Sequence, residues 1–426
     1  MRGRSVVMVV GLILACAAIP AAAAAPEKIL LRAGRLLDRS VRDNVDILVE
    51  GNRIVQVGTI RSVPSGAREI DLRRRTVLPG LIDSHTHICL TPDYTRRNPV
   101  LTKTAAQRAL EGMRAAHDDL MAGFTTLRDL DNEGADMSDV AVRDAIKSGL
   151  FPGPRLFVSG WALSITGGHM NLTGLAPEID RRLPQLAIMV TGPESMLAAI
   201  RDQVKAGVDF IKIYATGTLS HVDPETLDTL AQFSEEEIRV MVREAARWGK
   251  DVAAHAYGGP GARNAAAAGV RSIEHGMMLD DATLDLMASS GTWWSPTMTV
   301  YLPGEDASET ERAFRNRIVE RHRDTFTRAM RRGVRIAFGT DIGAVPHGEG
   351  WRELERMGEY GMSPLEVIRS ATVSGAELLR RGKDLGRIAP GYLADIIAVD
   401  GAPDRDLKAL RRVPFVMANG SVVKDD

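Results

Sequence analysis

The sequence Asp83-Ser84-His85-Thr86-His87 follows an apolar run, Val77-Leu78-Pro79-Gly80-Leu81-Ile82. Residues i and i+2 of a strand project to the same side, so His85 and His87 point together and their Nε2 atoms can share one metal ion. Two surface histidines at a strand end would show the same spacing; the apolar run before them gives the pair its weight. Lys212 lies within Phe210-Ile211-Lys212-Ile213-Tyr214, a strand otherwise suited to burial. A bare buried ammonium is unfavourable. One outcome is a lysine paired with a carboxylate. The other is a lysine carbamylated by CO2, whose new carboxylate bridges two divalent ions; a buried lysine of lowered pKa is nucleophilic enough for this. His255 ends Val252-Ala253-Ala254-His255, His275 ends Ser272-Ile273-Glu274-His275, and Asp341 ends Phe338-Gly339-Thr340-Asp341. Taken singly, such histidines are hydrogen-bonded polar residues, and Asp341 is a helix cap. His117, His221 and His322 look ordinary, and His347 sits in a glycine-rich loop.

These groups act together only if the chain gathers them. Segments 81–88, 124–129, 155–161, 209–214, 251–257, 271–275, 292–298 and 335–340 read as strands. Segments 105–122, 194–206, 234–248 and 309–332 read as helices between them, and Ser234 with Glu237 has the spacing of a capping box. Strands alternating with helices over ~250 residues predict an α/β fold, a (β/α)8 TIM barrel across 81–382. A doubly wound sheet is the alternative. His85, His87, Lys212, His255, His275 and Asp341 each fall at the C-terminal end of a predicted strand, and in a barrel all such ends share one face. The loops 161–177, 219–226 and 301–309 are expected to line the pocket. Trp293 and Trp294 form either a wall of it or part of the core.

The two ends of the chain read as short strands. Residues 28–80 and 383–426 carry β-branched or alternating runs with hairpin signals at Glu50-Gly51-Asn52 and Asn419-Gly420. They are expected to pair as one small composite β-sandwich domain. Residues 1–25 have Arg2 and Arg4, an apolar run and an alanine tail, the layout of a signal peptide. A membrane anchor is the competing reading, but Pro20 and the weakly apolar tail argue against it. The expected location is therefore secreted or periplasmic, with lipid attachment at Cys16 a second route. Cleavage near Ala25 would leave Cys89 as the sole thiol.

The 426 residues are 44% hydrophobic and 26% charged, which is globular composition. A net charge of −1 offers no electrostatic reason to bind nucleic acid. Two cysteines exclude both a disulfide framework and a cysteine-rich metal site. After the leader, no segment is long and apolar enough to form a stable membrane span.

The chain resembles the amidohydrolase superfamily of binuclear metal hydrolases. The resemblance rests on Pro79 to His87, on Lys212, His255 and His275, on Gly339-Thr340-Asp341, and on Gly386-Arg387-Ile388-Ala389-Pro390-Gly391 through Asp395. Within it, Phe210 to Gly217, Gly167-Gly168-His169 and Ala254 to Gly258 are most similar to the Xaa-Pro dipeptidase group, related to imidazolonepropionase. The resemblance implies that His85, His87 and Asp341 hold one metal, that His255 and His275 hold the other, and that carbamylated Lys212 bridges them. It implies that His169 polarises the scissile carbonyl and Tyr257 contacts the substrate's α-carboxylate. Read without it, His169 is a loop histidine and Tyr257 a barrel-lining aromatic.

The histidine-rich set favours zinc, though such sites accept other divalent ions. Two metals would lower the pKa of a bridging water, and Asp341 would carry its proton to the leaving nitrogen. The expected substrate is a small dipeptide or N-acyl amino acid, a class that in related proteins includes ochratoxin A. A cyclic amide or imidazolone is a second expectation, and a non-catalytic metal- or peptide-binding protein a third. Relatives tend to be homo-oligomers.

Overall fold

The computed structural model describes residues 26–92, 98–171, 176, 178 and 185–426. The leader read into residues 1–25, with Cys16, lies outside the described residues. Four strands open the described chain: β1 (Lys28–Leu37), β2 (Val41–Glu50), β3 (Arg53–Gly58) and β4 (Ala67–Pro79). The middle holds β5 (Leu81–Thr86), β6 (Phe124–Asp129), β7 (Arg155–Val158), β8 (Leu163–Ser164), β9 (Ile188–Met189), β10 (Ile211–Tyr214), β11 (Val252–Gly258), β12 (Ser272–Met278), β13 (Trp293–Ser295) and β14 (Arg335–Ile336). The tail adds β15 (Ile396–Val399), β16 (Phe415–Ala418) and β17 (Ser421–Asp425).

The terminal strands form one seven-stranded sheet in the order β17-β16-β15-β4-β1-β2-β3. Antiparallel pairing of β4 with β15, Leu78 opposite Ile397, joins the two ends of the chain. Both hairpin signals make turns. Asn419 and Gly420 have φ of 49° and 83°, the left-handed pair that a two-residue hairpin loop requires. The sheet curls, so that Ile54 N on edge strand β3 donates to Tyr392 O at 2.9 Å on the other side. Leu31, Ile47, Ile396, Phe415 and Met417 fill the space it encloses.

In the middle, β5-β6-β7 and β10 through β14 pair in parallel. Asp209 N donates to Val158 O at 2.8 Å between β7 and β10, and Ser84 N donates to Phe338 O at 2.9 Å between the last strand and β5. That second bond closes the ring and excludes the doubly wound alternative. Every residue of β5, β6, β10 and β11 is buried, as expected of parallel strands covered by helices. The capping box at Ser234 and Glu237 starts the helix Glu235–Arg247. None of the described helices is long and apolar enough to cross a membrane.

The third strand departs from the expected 155–161. Regular pairing stops at Val158, and Gly160 turns the chain with φ of 64°. Asp139 Oδ2 accepts from Gly160 N at 2.8 Å, and Gln203 Oε1 accepts from Trp161 N at 2.9 Å. The chain then re-enters as β8, where Leu163 pairs with Ile213 of β10. Neighbouring helices thus capture the backbone that a longer strand would have used, and the next loop is aimed at the barrel mouth.

His347 ties the loop after the last strand to helix Ala105–Met121. Its Nδ1 lies 2.8 Å from Asp119 Oδ2 and its Nε2 3.3 Å from Leu90 O. Both nitrogens face acceptors, so only the imidazolium donates to both. Burial opposes the charge, but Asp119 outweighs it and raises the His347 pKa above its ordinary value. The folded value lies above the unfolded one, so this stabilisation is complete below pH ~6.5 and fades as pH rises through the folded pKa. A His347→Leu variant should lose ~1.5–3 kcal/mol at pH 6. Its deficit against wild type should shrink toward pH 9 in thermal melts, and a deficit that did not vary with pH would refute the imidazolium.

Candidate metal centre

The six predicted strand-end residues and His169 open on one face of the barrel. His87, Lys212, His255, His275, Asp341, His169 and Tyr257 line a single cavity of about 460 Å3, with His85 buried beneath it. Ligand atoms of His85, His275 and Asp341 lie within 4.8 Å of one another. Asp341 Oδ1 is 3.1 Å from His87 Nε2 and 3.4 Å from His85 Nε2. The His255 ring is centred 4.5 Å from that of His275, and the His85 ring 4.8 Å from it.

Each histidine ring is also held by one nitrogen at hydrogen-bond distance from a neighbour. His85 Nδ1 donates to Glu274 Oε2 at 3.0 Å. His87 Nδ1 lies 3.2 Å from Asp131 O, His275 Nδ1 lies 2.8 Å from Thr297 Oγ1, and His255 Nε2 lies 3.2 Å from Gly217 O. Contacts of this kind orient rings that ligate a metal. His85 Nε2 is buried and has no hydrogen-bond partner among the described residues.

The backbone is strained where the site needs it. His275 and Asp341 have φ of 70° and 62°, and Asp131 and Thr297 are also left-handed, at 104° and 49°. For residues other than glycine this is unfavourable and concentrates at functional sites. At β12 it has a geometric result. Glu274 and His275 are consecutive, and a regular strand would point them to opposite faces. Both instead contact His85. Gly339 lets the last strand press in, since a Cβ there would meet Ser295 Oγ at 2.0 Å and His85 Cβ at 2.9 Å.

Electrostatics also favour a bound cation. Lys212 is buried, and burial lowers its pKa. Its amine forms no hydrogen bond or ion pair among the described residues, so the carboxylate-paired lysine is not what is seen. Burial would depress the His87 imidazole, yet Asp341 and Glu133 outweigh it and raise its pKa to about 10. Burial would raise the Asp341 carboxyl, yet the histidines around it hold it well below the usual range. Acidic groups thus converge where imidazole lone pairs do. This donor set fits divalent ions of the nitrogen- and oxygen-binding kind.

His169 presents its ring beside His255, centroids 4.4 Å apart, stacked on Tyr214 at 4.1 Å. Burial and the nearby Lys212 charge push its pKa down to about 3, so it is a neutral imidazole. Its Nδ1 has no partner among the described residues. Tyr257 stands against His255 at 4.6 Å and meets Tyr301 edge-on at 5.8 Å.

Sequence reasoning missed several members. His221 lines the cavity, although its sequence context looked ordinary. Its place in the expected loop 219–226 was the available signal. Met170, Asn171, Leu219 and Tyr301 confirm that the three expected loops reach the cavity, although 172–175 and 177 lie outside the described residues. Trp293 and Trp294 do not line it; both are core, and Trp294 Nε1 donates to His275 O at 2.9 Å from behind. Asp83 accepts from Thr340 Oγ1 at 2.7 Å and from His85 N at 3.0 Å, locking the first strand to the last. Glu274 is the largest omission. Arg128 Nη2 donates to it at 2.7 Å, and the pair is almost wholly buried. Burial would raise the Glu274 carboxyl, but Arg128 and His85 hold it well below the ordinary range.

Glu274→Gln removes that charge and strands the Arg128 guanidinium in the core. Breaking one side of a buried pair costs about 3 kcal/mol or more. The released His85 ring should weaken metal affinity ~10–100-fold. Denaturant midpoints of the metal-free protein and a metal titration read the two effects separately. Unchanged affinity would show that Glu274 is structural only.

An eight-stranded barrel with histidines, a lysine and an aspartate gathered at its strand ends is a hydrolase scaffold. The amidohydrolase family profile matches residues 76–423, and the chain belongs to that family. The chain is 31% identical over 409 residues to ochratoxinase of Aspergillus niger, covering 89% of this chain and 83% of that one. It is 26% identical to imidazolonepropionase of Salinispora arenicola (strain CNS-205), covering 88% and 91%. Among solved structures it superimposes on a Xaa-Pro dipeptidase with bound methionine in the active site, with a TM-score of 0.84 and 35% identity, covering 93% of this chain and all of that one. The protein is therefore a hydrolytic enzyme acting on C–N bonds, of the kind that cleaves amides. The family generally binds divalent metals.

Proposed function

We propose that the enzyme hydrolyses the open-chain amide bond of dipeptides or N-acyl amino acids at a binuclear metal centre. His85, His87 and Asp341 would hold one ion, His255 and His275 the other, and Lys212, carbamylated by CO2, would bridge them. The observation that carries this is Lys212. A buried amine with no hydrogen bond or ion pair among the described residues, only the Tyr214 ring 5.6 Å away, is unfavourable as an ammonium and sensible as a carbamate. Zinc suits the donor set.

When bound, such ions supply Lewis acidity and lower the pKa of a water. The chain's own residues do the rest. Asp341 takes the proton of the attacking water and delivers it to the leaving nitrogen. His169, neutral and lining the cavity, donates to the scissile carbonyl oxygen as charge develops there. Tyr257 and Tyr301 orient the leaving side. The likeness to ochratoxinase and to the Xaa-Pro dipeptidase structure supports an open-chain substrate, while the more distant imidazolonepropionase keeps a cyclic amide as the second reading. A screen of dipeptides and N-acyl amino acids, with ochratoxin A and an imidazolone included, tests both. Cleavage of no open-chain amide would reject the first. Tight peptide binding by metal-loaded protein without turnover would reject catalysis altogether.

A further inference from the structure

The charged groups lining the cavity are Glu133, Lys212, Arg315 and Asp341. Under the reading above Lys212 and His87 both belong to the metal centre, and the two carboxylates repel an anion. Arg315 is then the only fixed positive charge among the described lining residues. It rises from helix Glu309–Arg331, a quarter exposed. Its Nε donates to Glu311 at 2.9 Å, and its terminal nitrogens form no hydrogen bond among the described residues. Glu311 thus pairs with one edge of the guanidinium, while the two terminal nitrogens, which can meet a carboxylate in two parallel bonds, remain for a ligand in the cavity that Arg315 lines.

Its surroundings are apolar and firmly held. Val300, Tyr301, Leu219 and Tyr257 line the same cavity, and Phe314 packs beside them. Buried Glu353 accepts from Met298 N at 2.7 Å and Thr299 N at 2.8 Å, fixing the turn that presents Tyr301. Arg317 reaches Pro224 O and Glu225 O, tying the same helix to the loop that carries Leu219.

We infer that Arg315 anchors the free C-terminal carboxylate of the substrate and that the adjoining apolar wall receives its last side chain. This rests on the amide-hydrolase reading and narrows it to acids whose final residue is apolar. A C-terminal carboxylate lies only two bonds beyond the scissile nitrogen, so its anchor must share the cavity with the catalytic groups. A phenol such as Tyr257 donates one hydrogen bond but leaves the charge unbalanced, which is unfavourable against apolar walls.

The test compares wild type, Arg315→Met and Arg315→Lys on N-acetyl-L-phenylalanine and L-alanyl-L-phenylalanine, each also as its C-terminal carboxamide. Arg315→Met should raise KM for the acids roughly 10- to 100-fold, the scale of lost charge-assisted hydrogen bonds, with little change in kcat. It should leave the carboxamides unchanged, and Arg315→Lys should recover part of the loss. Methionine keeps the aliphatic stem, and a thermal melt confirms folding. Equal losses on acids and carboxamides, or no loss on either, would overturn the anchor while wild-type turnover still upholds the parent reading. Wild type that cleaves none of these compounds would overturn both.

Discussion

Lys212→Ala is expected to abolish metal loading and amide hydrolysis together. The substitution leaves the ladder intact, because Ile211, Lys212, Ile213 and Tyr214 pair with β11 through their backbones alone. It also deletes a buried amine that has no hydrogen bond or ion pair among the described residues, so the metal-free variant should be as stable as wild type or more so. What disappears is the group that would carry the bridging carboxylate. Metal-ion stabilisation of the transition state is worth several kcal/mol, and at one factor of ten per ~1.4 kcal/mol its loss removes on the order of 10^3 in kcat/KM. Metal content by atomic emission, a thermal melt and turnover on one substrate separate the cases. Full activity with normal metal content would eliminate the bridging lysine. Lost activity with normal metal content would place Lys212 at the substrate instead.

The second large effect concerns the proton. Asp341→Asn should keep the fold while losing ~10^2–10^4 in kcat at saturating metal, the range of a positioned general acid–base group. Asparagine is the informative replacement because residue 341 has φ of 62°. Asparagine tolerates that left-handed conformation, whereas alanine would add backbone strain and confuse the readout. The main-chain bond from Asp341 N to His85 O, 2.8 Å, is untouched. The variant should also lose the acidic limb of the pH–rate profile. Near wild-type kcat would show that another group moves the proton, with Glu133 the next carboxylate in the cavity.

Much of this enzyme was legible in the order of its residues, and the reason is local. A parallel strand buried on both faces reads as a short apolar run, and a polar residue ending that run has few other uses. His85 and His87 add the period of two. Eight such runs therefore placed every candidate ligand, and Glu50-Gly51-Asn52 and Asn419-Gly420 marked the hairpins through conformations that few residues adopt. The tertiary structure decided what depends on distant neighbours. Arg128 and Glu274 are 146 positions apart, and neither looks catalytic until the closed ring sets them beneath His85. His275 and Asp341 turn inward through left-handed backbones that only surrounding contacts can impose. The third strand is interrupted because Asp139 and Gln203 take its hydrogen bonds. His221 and Arg315 become lining residues only when a loop and a helix from different parts of the chain meet over one cavity. Residue type and strand period are properties of a few consecutive positions and can be read in one dimension. Charge balance in a buried site is a sum over the whole fold, and it exists only once the barrel has closed.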